Sequence, residues 1–269
     1  MNSDLHFEIA IIGAGGIGSN LIVNLVPALH RGGILDSTEG ITIRVYDSDE
    51  VSESNLAHQR FSPDQVGMTK VEALRDNILP FIGEKLSMVP CPWDVRVEGD
   101  LVPYDMAIVA VDSPIARRVI HSLGGFWLDL RCRGDGFVAL DFRVLREHLS
   151  KMTPDQPGMS CQLEGAISSG NIQFGHAMAA AHGSQWAVQM MRLISGNNGS
   201  LPEPQIASIS FGTLSKQPLE ESGHPIPRGN VKPFQHSERS VRHSISTGDV
   251  NSTEVVETIA LLAKEQDWP

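Results

Sequence analysis

The chain is poor in cysteine, poor in positive charge and free of long apolar runs, and each shortage excludes a class of protein. Cys91, Cys132 and Cys161 are its three cysteines. No two of them form a C-x-x-C pair, so neither a disulfide framework nor a structural zinc site is expected. The histidines offer no ligand spacing either: His176 and His182 stand six apart, off a common helical face. No apolar run approaches the roughly 20 residues that span a bilayer. No charged-then-apolar leader is visible, so a soluble protein of a reducing, cytoplasmic compartment is expected, without a membrane partner. The formal charge of −11 and a pI near 5.3 argue against nucleic acid as a main partner. What the chain does have is a 41% hydrophobic composition over 269 residues, enough for one domain with a sizeable core. No internal repeat is visible.

The first pattern is a glycine loop. Phe7 to Ile12 is a short, largely apolar, β-branched run that ends directly in Gly13-Ala14-Gly15-Gly16-Ile17-Gly18-Ser19. Ser19 to Val26 then places apolar residues along a helical stripe. Strand, glycine turn and helix is the context that a phosphate-binding fingerprint requires. Gly13 suits a tight turn, Gly15 and Gly16 let the backbone approach phosphate, and Gly18 lets helix and strand pack closely. The helix N-terminus then presents free N–H groups to an anion. The same glycines would also serve a tight turn that binds no ligand.

A second strand, Ile41 to Tyr46, ends at Asp47. A carboxylate there can accept hydrogen bonds from both ribose hydroxyls of NAD or of ATP. It stands 29 residues beyond Gly18 (47 − 18), longer than the usual spacing of about 20. A loop around Arg31-Gly32-Gly33 and Ser37 to Gly40 accounts for the excess. Up to this point the cofactor is open.

The next residues narrow the choice. Asp47-x-Asp49-x-Val51-x-x-Ser54-Asn55-Leu56-x-x-Gln59 resembles a signature of the ThiF/MoeB family, the adenylating enzymes of sulfur-carrier proteins and of the ubiquitin-activating type. Three further matches follow in order. Gly67-x-x-Lys70-x-x-Ala73 resembles the family's helix start, Asp112-Ser113-x-x-x-Arg117 its fourth-strand motif, and Ser160-Cys161-x-x-x-Gly165-Ala166 its crossover motif. The matched stretches run from residue 9 to about 195.

The resemblance implies an α/β fold: a Rossmann-like, mostly parallel sheet flanked by helices, with a crossover loop and a long helix in the C-terminal half. It implies attack by a carrier protein's C-terminal carboxylate on the α-phosphate of ATP, which is catalysed mainly by positioning and charge neutralisation. Gly13, Gly15, Gly16, Gly18, Asp47, Asp49, Asn55, Gln59 and Arg117 are then nucleotide-binding residues. Lys70 is a phosphate cation, and Asp112 a ligand for Mg2+. Asp112 would equally suit the N-terminal flank of a helix beginning Ser113-Pro114. The implied partner is a small ubiquitin-like or sulfur-carrier protein ending in Gly-Gly, and the implied assembly a homodimer.

Two departures stand out. The family has arginine just before the glutamine, reaching the neighbouring subunit's triphosphate; here that residue is His58, and Arg60 follows Gln59. Arg60 is therefore expected to replace the missing arginine, since histidine is only partly charged near neutral pH. The family's paired zinc cysteines are absent. Cys161 matches a position where some members carry a thiol that accepts the activated carrier and others a dispensable one. Cys132, between Arg131 and Arg133, reads either as a thiol of depressed pKa or as a packed strand-end residue.

Phe126 to Leu130 and Phe137 to Phe142 read as further strands, and residues 146–163 as the crossover. Gly170 to Ile194 reads as the long helix, with Phe174, Ala177, Met178, Ala181 and Ala187 as its packing face. The adenylation domain is placed at 1–198. Residues 199–269 are expected to be a mostly irregular extension, because six of the 16 prolines fall between Pro202 and Pro233; a short helix is expected near 254–265. Two other functions remain open. One is an NAD-dependent oxidoreductase, which has no evident use for the Ser54-Asn55-Leu56, Lys70 and Asp112 set. The other is a catalytically inactive assembly protein on the same fold.

Overall fold

A computed structural model describes residues 5–155 and 160–215. The helix expected at 254–265, and most of the extension, lie outside the described residues. In chain order the elements are β1 (His6–Ile12), α1 (Gly16–Arg31), β2 (Gly40–Tyr46), α2 (Lys70–Ile78), β3 (Leu86–Cys91), β4 (Met106–Val109), α3 (Pro114–Leu123), β5 (Phe126–Arg133), β6 (Gly136–Asp141), α4 (Arg146–Met152), α5 (Gly175–Ile194), β7 (Gln205–Ser208) and β8 (Gly212–Ser215). The eight strands among the described residues share one sheet, ordered β3-β2-β1-β4-β5-β6-β7-β8. The first five are parallel and the last three antiparallel. This is the mostly parallel α/β sheet that the sequence implies.

The topology follows from handedness. Right-handed crossovers send the chain from β1 to β2 in one direction and from β4 to β5 in the other. They therefore place α1 and α2 on one face and α3 on the opposite face. α5 packs against α1, β5 and β6, which completes the first face. Strands buried on both sides need unbroken apolar runs. β1 and β4 have them, with Ile9, Ile11, Ile12 and Met106 to Val109 all at 1% exposure or less. The order reverses between β1 and β4, and the crevice beyond the ends of those strands is where ligands bind in open α/β sheets.

Two findings adjust the expectations. On α5 the buried face is Ala179, Ala180, Gly183, Trp186, Ala187 and Met190. Phe174, Met178 and Ala181 point outward, and Ala177 is half-buried. Small residues alone do not mark the inner face; contact with β5, β6 and α1 selects it, and Leu128, Leu130 and Leu21 all crowd around Gly183. Trp186 is wholly buried, and its Nε1–H donates to Asp141 at 3.1 Å. Second, residues 205–215, placed in the extension on sequence, form the β7–β8 hairpin and lengthen the sheet. Ile206 and Ala207 are buried against it, so this part of the chain is core.

Candidate active site

The glycine loop is built by two close approaches. Gly13 has φ +105°, a region that favours glycine, and its N–H donates to Tyr46 C=O at 2.8 Å. A Cβ on Gly18 would lie 1.9 Å from Gly13 O, so α1 could not seat against β1 with any other residue. α1 has no side-chain cap at its N-terminus, and Gly15 has open space where a Cβ would project. The first turn of α1 therefore borders a cavity of about 510 Å³, with Gly15, Gly16 and Ile17 in its lining.

Eight segments of the chain line that cavity. Gly13, Gly15 and Gly16 form its floor beside Asp47, Ser48 and Asp49 at the end of β2. Lys70 enters from α2, His58 and Gln59 from the preceding loop, and Asp112 and Arg117 from the β4–α3 corner. β5 contributes Leu130, Arg131 and Cys132. Met152, Thr153, Ser160 and Cys161 come from the crossover segment, and Asp94 to Arg96 close the far edge.

Asp47 holds the loop in place: its Oδ2 accepts the Ala14 N–H at 2.7 Å and its Oδ1 the Asp49 N–H at 2.9 Å. Burial raises its pKa, outweighing Lys70 and those two donors. Each oxygen can accept a second hydrogen bond. Lys70 is buried, and its Nζ donates to Asp49 at 2.6 Å. Asp112 is exposed to the cavity. Arg117 turns inward: it donates to Val111 C=O and pairs with Asp129 at 3.4 Å. It thus braces the β4–α3 corner.

Three expected residues lie off the lining. Gly18 serves packing. Asn55 forms a turn, accepting the Ser52 N–H at 3.0 Å on its side chain and the Gln59 N–H at 2.9 Å on its carbonyl. Arg60 is exposed; its Nε donates to Asn20 at 2.8 Å and its N–H to Ser19 at 3.1 Å, beside the start of α1. His58 does line the cavity, edge-on to His176 with centroids 5.8 Å apart. Its pKa is lowered by burial and then by Lys70, so it is neutral at pH 7 and supplies no cation.

The cysteines separate cleanly. Cys132 is a packed residue whose thiol is pushed up by its hydrogen bond with Cys161 and by burial. Cys161 is held down by that hydrogen bond, with help from Arg117 and the Ile17 N–H, against burial and Asp112. Its sulfur lies over the first turn of α1, 3.2 Å from where a Cβ on Gly16 would be.

Sequence reading missed the charged cluster beneath the cavity. Asp129 is fully buried and meets Arg131 at 2.7 Å, His121 at 3.1 Å and Arg117 at 3.4 Å. Burial alone would raise its pKa, but Arg131, Arg117 and His121 hold it far below the carboxylate range. Arg131 also donates to Met152 C=O, and to Thr153 Oγ1 at 2.9 Å. The available signal was the alternation Leu128-Asp129-Leu130-Arg131, charges on a strand too apolar to be exposed.

The geometry can be set against known proteins. A family model described as the ThiF family matches residues 4–224. No curated protein matches the chain. Among solved structures, E. coli MccB with ATP is 19% identical over 80% of this chain and 64% of its own, with a TM-score of 0.54. E. coli MccB with MccA-N7isoASN is 19% identical over 84% and 66%, at 0.58. PaaA is 21% identical over 77% and 62%, at 0.54. The chain spans less than two thirds of each of these proteins, and the likeness establishes the shared fold.

Proposed function

This chain belongs to the ThiF family, and from that premise we propose that it activates a carboxylate by adenylation with ATP. The observation that carries the reading is convergence: the uncapped start of α1, Asp47, Lys70 and Asp112 all meet in one cavity. A dehydrogenase would need the glycine loop and Asp47 but not the cation and second carboxylate opposite them.

In this reading the first-turn N–H groups and Lys70 bind the phosphates, and Asp47 accepts the ribose hydroxyls. Among the described residues no three His, Cys, Asp or Glu side chains converge as a metal cage. Mg2+ would therefore rest on Asp112 together with phosphate and water, the usual habit of that ion. When bound, it supplies charge neutralisation at the phosphates. The chain's own residues align the α-phosphate with the incoming carboxylate and need move no proton, because that carboxylate is already ionised at pH 7. Cys161, whose sulfur lies beside the first turn of α1, would then attack the acyl carbon of the adenylate; the S–C bond forms as the C–O bond to AMP breaks, and the acyl group is held as a thioester.

The substrate we favour is the C-terminal carboxylate of a small protein or peptide. One form is a ubiquitin-like or sulfur-carrier protein ending in Gly-Gly; the other is a peptide, as the MccB structures with MccA illustrate for that protein. A homodimer would let Arg60, which lies outside its own cavity, serve the neighbouring one. A second reading, an inactive assembly protein, draws on the neutral His58 in the place of an arginine. Pyrophosphate–ATP exchange separates them. Exchange that depends on an added carrier or peptide supports adenylation. ATP binding without exchange across Gly-Gly carriers and peptides would favour the assembly role, and NADH binding without exchange an oxidoreductase.

A further inference from the structure

Cys132 and Cys161 reach the cavity from different elements, one at the end of β5 and the other in the crossover segment. Their thiols are near enough that each is the largest influence on the other's acidity, raising Cys132 and lowering Cys161. Their backbones are tied as well, since the Gly134 N–H, two residues past Cys132, donates to Cys161 C=O at 2.9 Å. The third cysteine, Cys91, ends β3 at the opposite edge of the parallel sheet, separated from β5 by β2, β1 and β4. Two cysteines held side by side in the lining of one cavity, with the Cys161 sulfur over the first turn of α1, are an arrangement from which a disulfide can form.

We propose that Cys132 and Cys161 are a two-electron redox pair that closes to an intramolecular disulfide inside the cavity when the protein meets peroxide. Cys161 is the attacking thiol. Its sulfur attacks the O–O bond of hydrogen peroxide; an S–O bond forms, the O–O bond breaks, and the departing oxygen leaves as water with the Cys161 proton. The Cys132 sulfur then attacks the Cys161 sulfur. The S–S bond forms as the S–O bond breaks, and a second water carries away the Cys132 proton. Two electrons have passed from the thiol pair to the peroxide, which is reduced to two waters.

The assignment of roles agrees with the surroundings. Cys161 is the thiol held down, by Cys132, Arg117 and the Ile17 N–H, while Cys132 stays protonated until the exchange step. An S–S bond of about 2.05 Å is much shorter than any non-bonded sulfur contact. Closing it draws the crossover segment onto β5 and removes Cys161 as an acyl acceptor. That last consequence rests on the proposed adenylation; the disulfide itself does not.

The test uses the full reduced chain, treated with hydrogen peroxide, quenched with iodoacetamide under denaturing conditions and mapped by peptide mass. Free thiols should fall from three to one, with Cys91 alkylated and a Cys132–Cys161 peptide that dithiothreitol releases. In Cys132→Ala the same treatment should carry Cys161 on to sulfinic acid, which dithiothreitol does not reverse. Three free thiols after treatment would overturn the proposal, as would a linkage found only between two chains. Sulfinic acid forming at Cys161 equally fast in the unaltered protein and in Cys132→Ala would overturn it too. Pyrophosphate exchange on the reduced protein is read separately, so failure of the adenylation reading leaves this result intact.

Discussion

Lys70 and Asp49 form an ion pair of 2.6 Å whose partners differ sharply in exposure, 8% for the lysine side chain and 67% for the aspartate. The cation is thus held at the cavity wall by a carboxylate that water already solvates. If the proposed adenylation holds, an arriving triphosphate takes over the ammonium at little desolvation cost to Asp49. Lys70→Met should lower pyrophosphate exchange by about 10²–10³-fold, the range for losing one preorganised charge donor. Melting temperature should shift by only a few degrees, since the stranded Asp49 stays in water. A fall in exchange matched by a collapse in stability would make Lys70 a structural residue.

Gly18 meets Gly13 O so closely that a Cβ would sit 1.9 Å from it. Gly18→Ala must therefore push α1 away from β1. The expected cost is about 1–3 kcal/mol of stability, read by urea unfolding, together with weaker ATP binding because the first-turn N–H groups move. Gly15→Ala is the contrast: it has open space and should keep full stability while obstructing phosphate.

The two glycines also show what the sequence could and could not say. The strand–loop–helix reading was legible because Gly13, Gly15 and Gly18 obey local rules. Asp47 was legible because it ends a β-branched run. The α5 face was not: Phe174 and Met178 look apolar enough for a core, yet only the positions of β5, β6 and α1 decide which side is buried. The Asp129–Arg131 pair was hidden for a related reason. A charged residue on a buried strand reads as an anomaly until Met152 and Thr153 arrive from 21 and 22 residues away to use it.

Where the resemblance implies an arginine the chain has His58, and Arg60 stands two residues further on. His58 is neutral at pH 7 and its Nδ1 is buried without a hydrogen-bond partner, so it cannot neutralise phosphate charge. Arg60→Ala should cost about 10²-fold in exchange, and His58→Gln less than about tenfold. The measurement is exchange rate against ATP concentration for both variants. Equal small losses would leave Arg60 as a surface clamp on Asn20 and nothing more.

Acid should destabilise the fold through its buried imidazoles. Burial, followed by His58, lowers the His176 pKa to about 4; burial alone dominates at His182, which also falls to about 4. A histidine whose folded pKa lies below its unfolded value binds fewer protons when folded. Its contribution is therefore complete above about pH 6.5 and is lost as pH falls towards 4. For His176 the loss is on the order of 3 kcal/mol. Urea midpoints measured from pH 7 to pH 4 should drop steeply, and less steeply in His176→Gln. Identical slopes would mean that the imidazole is hydrated in solution.

Arg131 joins the buried floor of the cavity to its cover. It binds Asp129 through two nitrogens, at 2.7 and 3.3 Å, and uses its remaining donors on Met152 C=O and Thr153 Oγ1. Only a planar fork can reach all of these at once, so a lysine restores the charge but not the tether. Arg131→Met should cost about 3 kcal/mol, because Asp129 then depends on Arg117 and His121 alone. Arg131→Lys should recover part of that stability yet leave the crossover segment loose. Trypsin cleavage after Lys151, measured at a temperature where every variant remains folded, distinguishes the two effects. If Arg131 is a positioning residue, both variants are cut faster and bind ATP more weakly. If its role is only to balance Asp129, Arg131→Lys will match the unaltered protein in both assays.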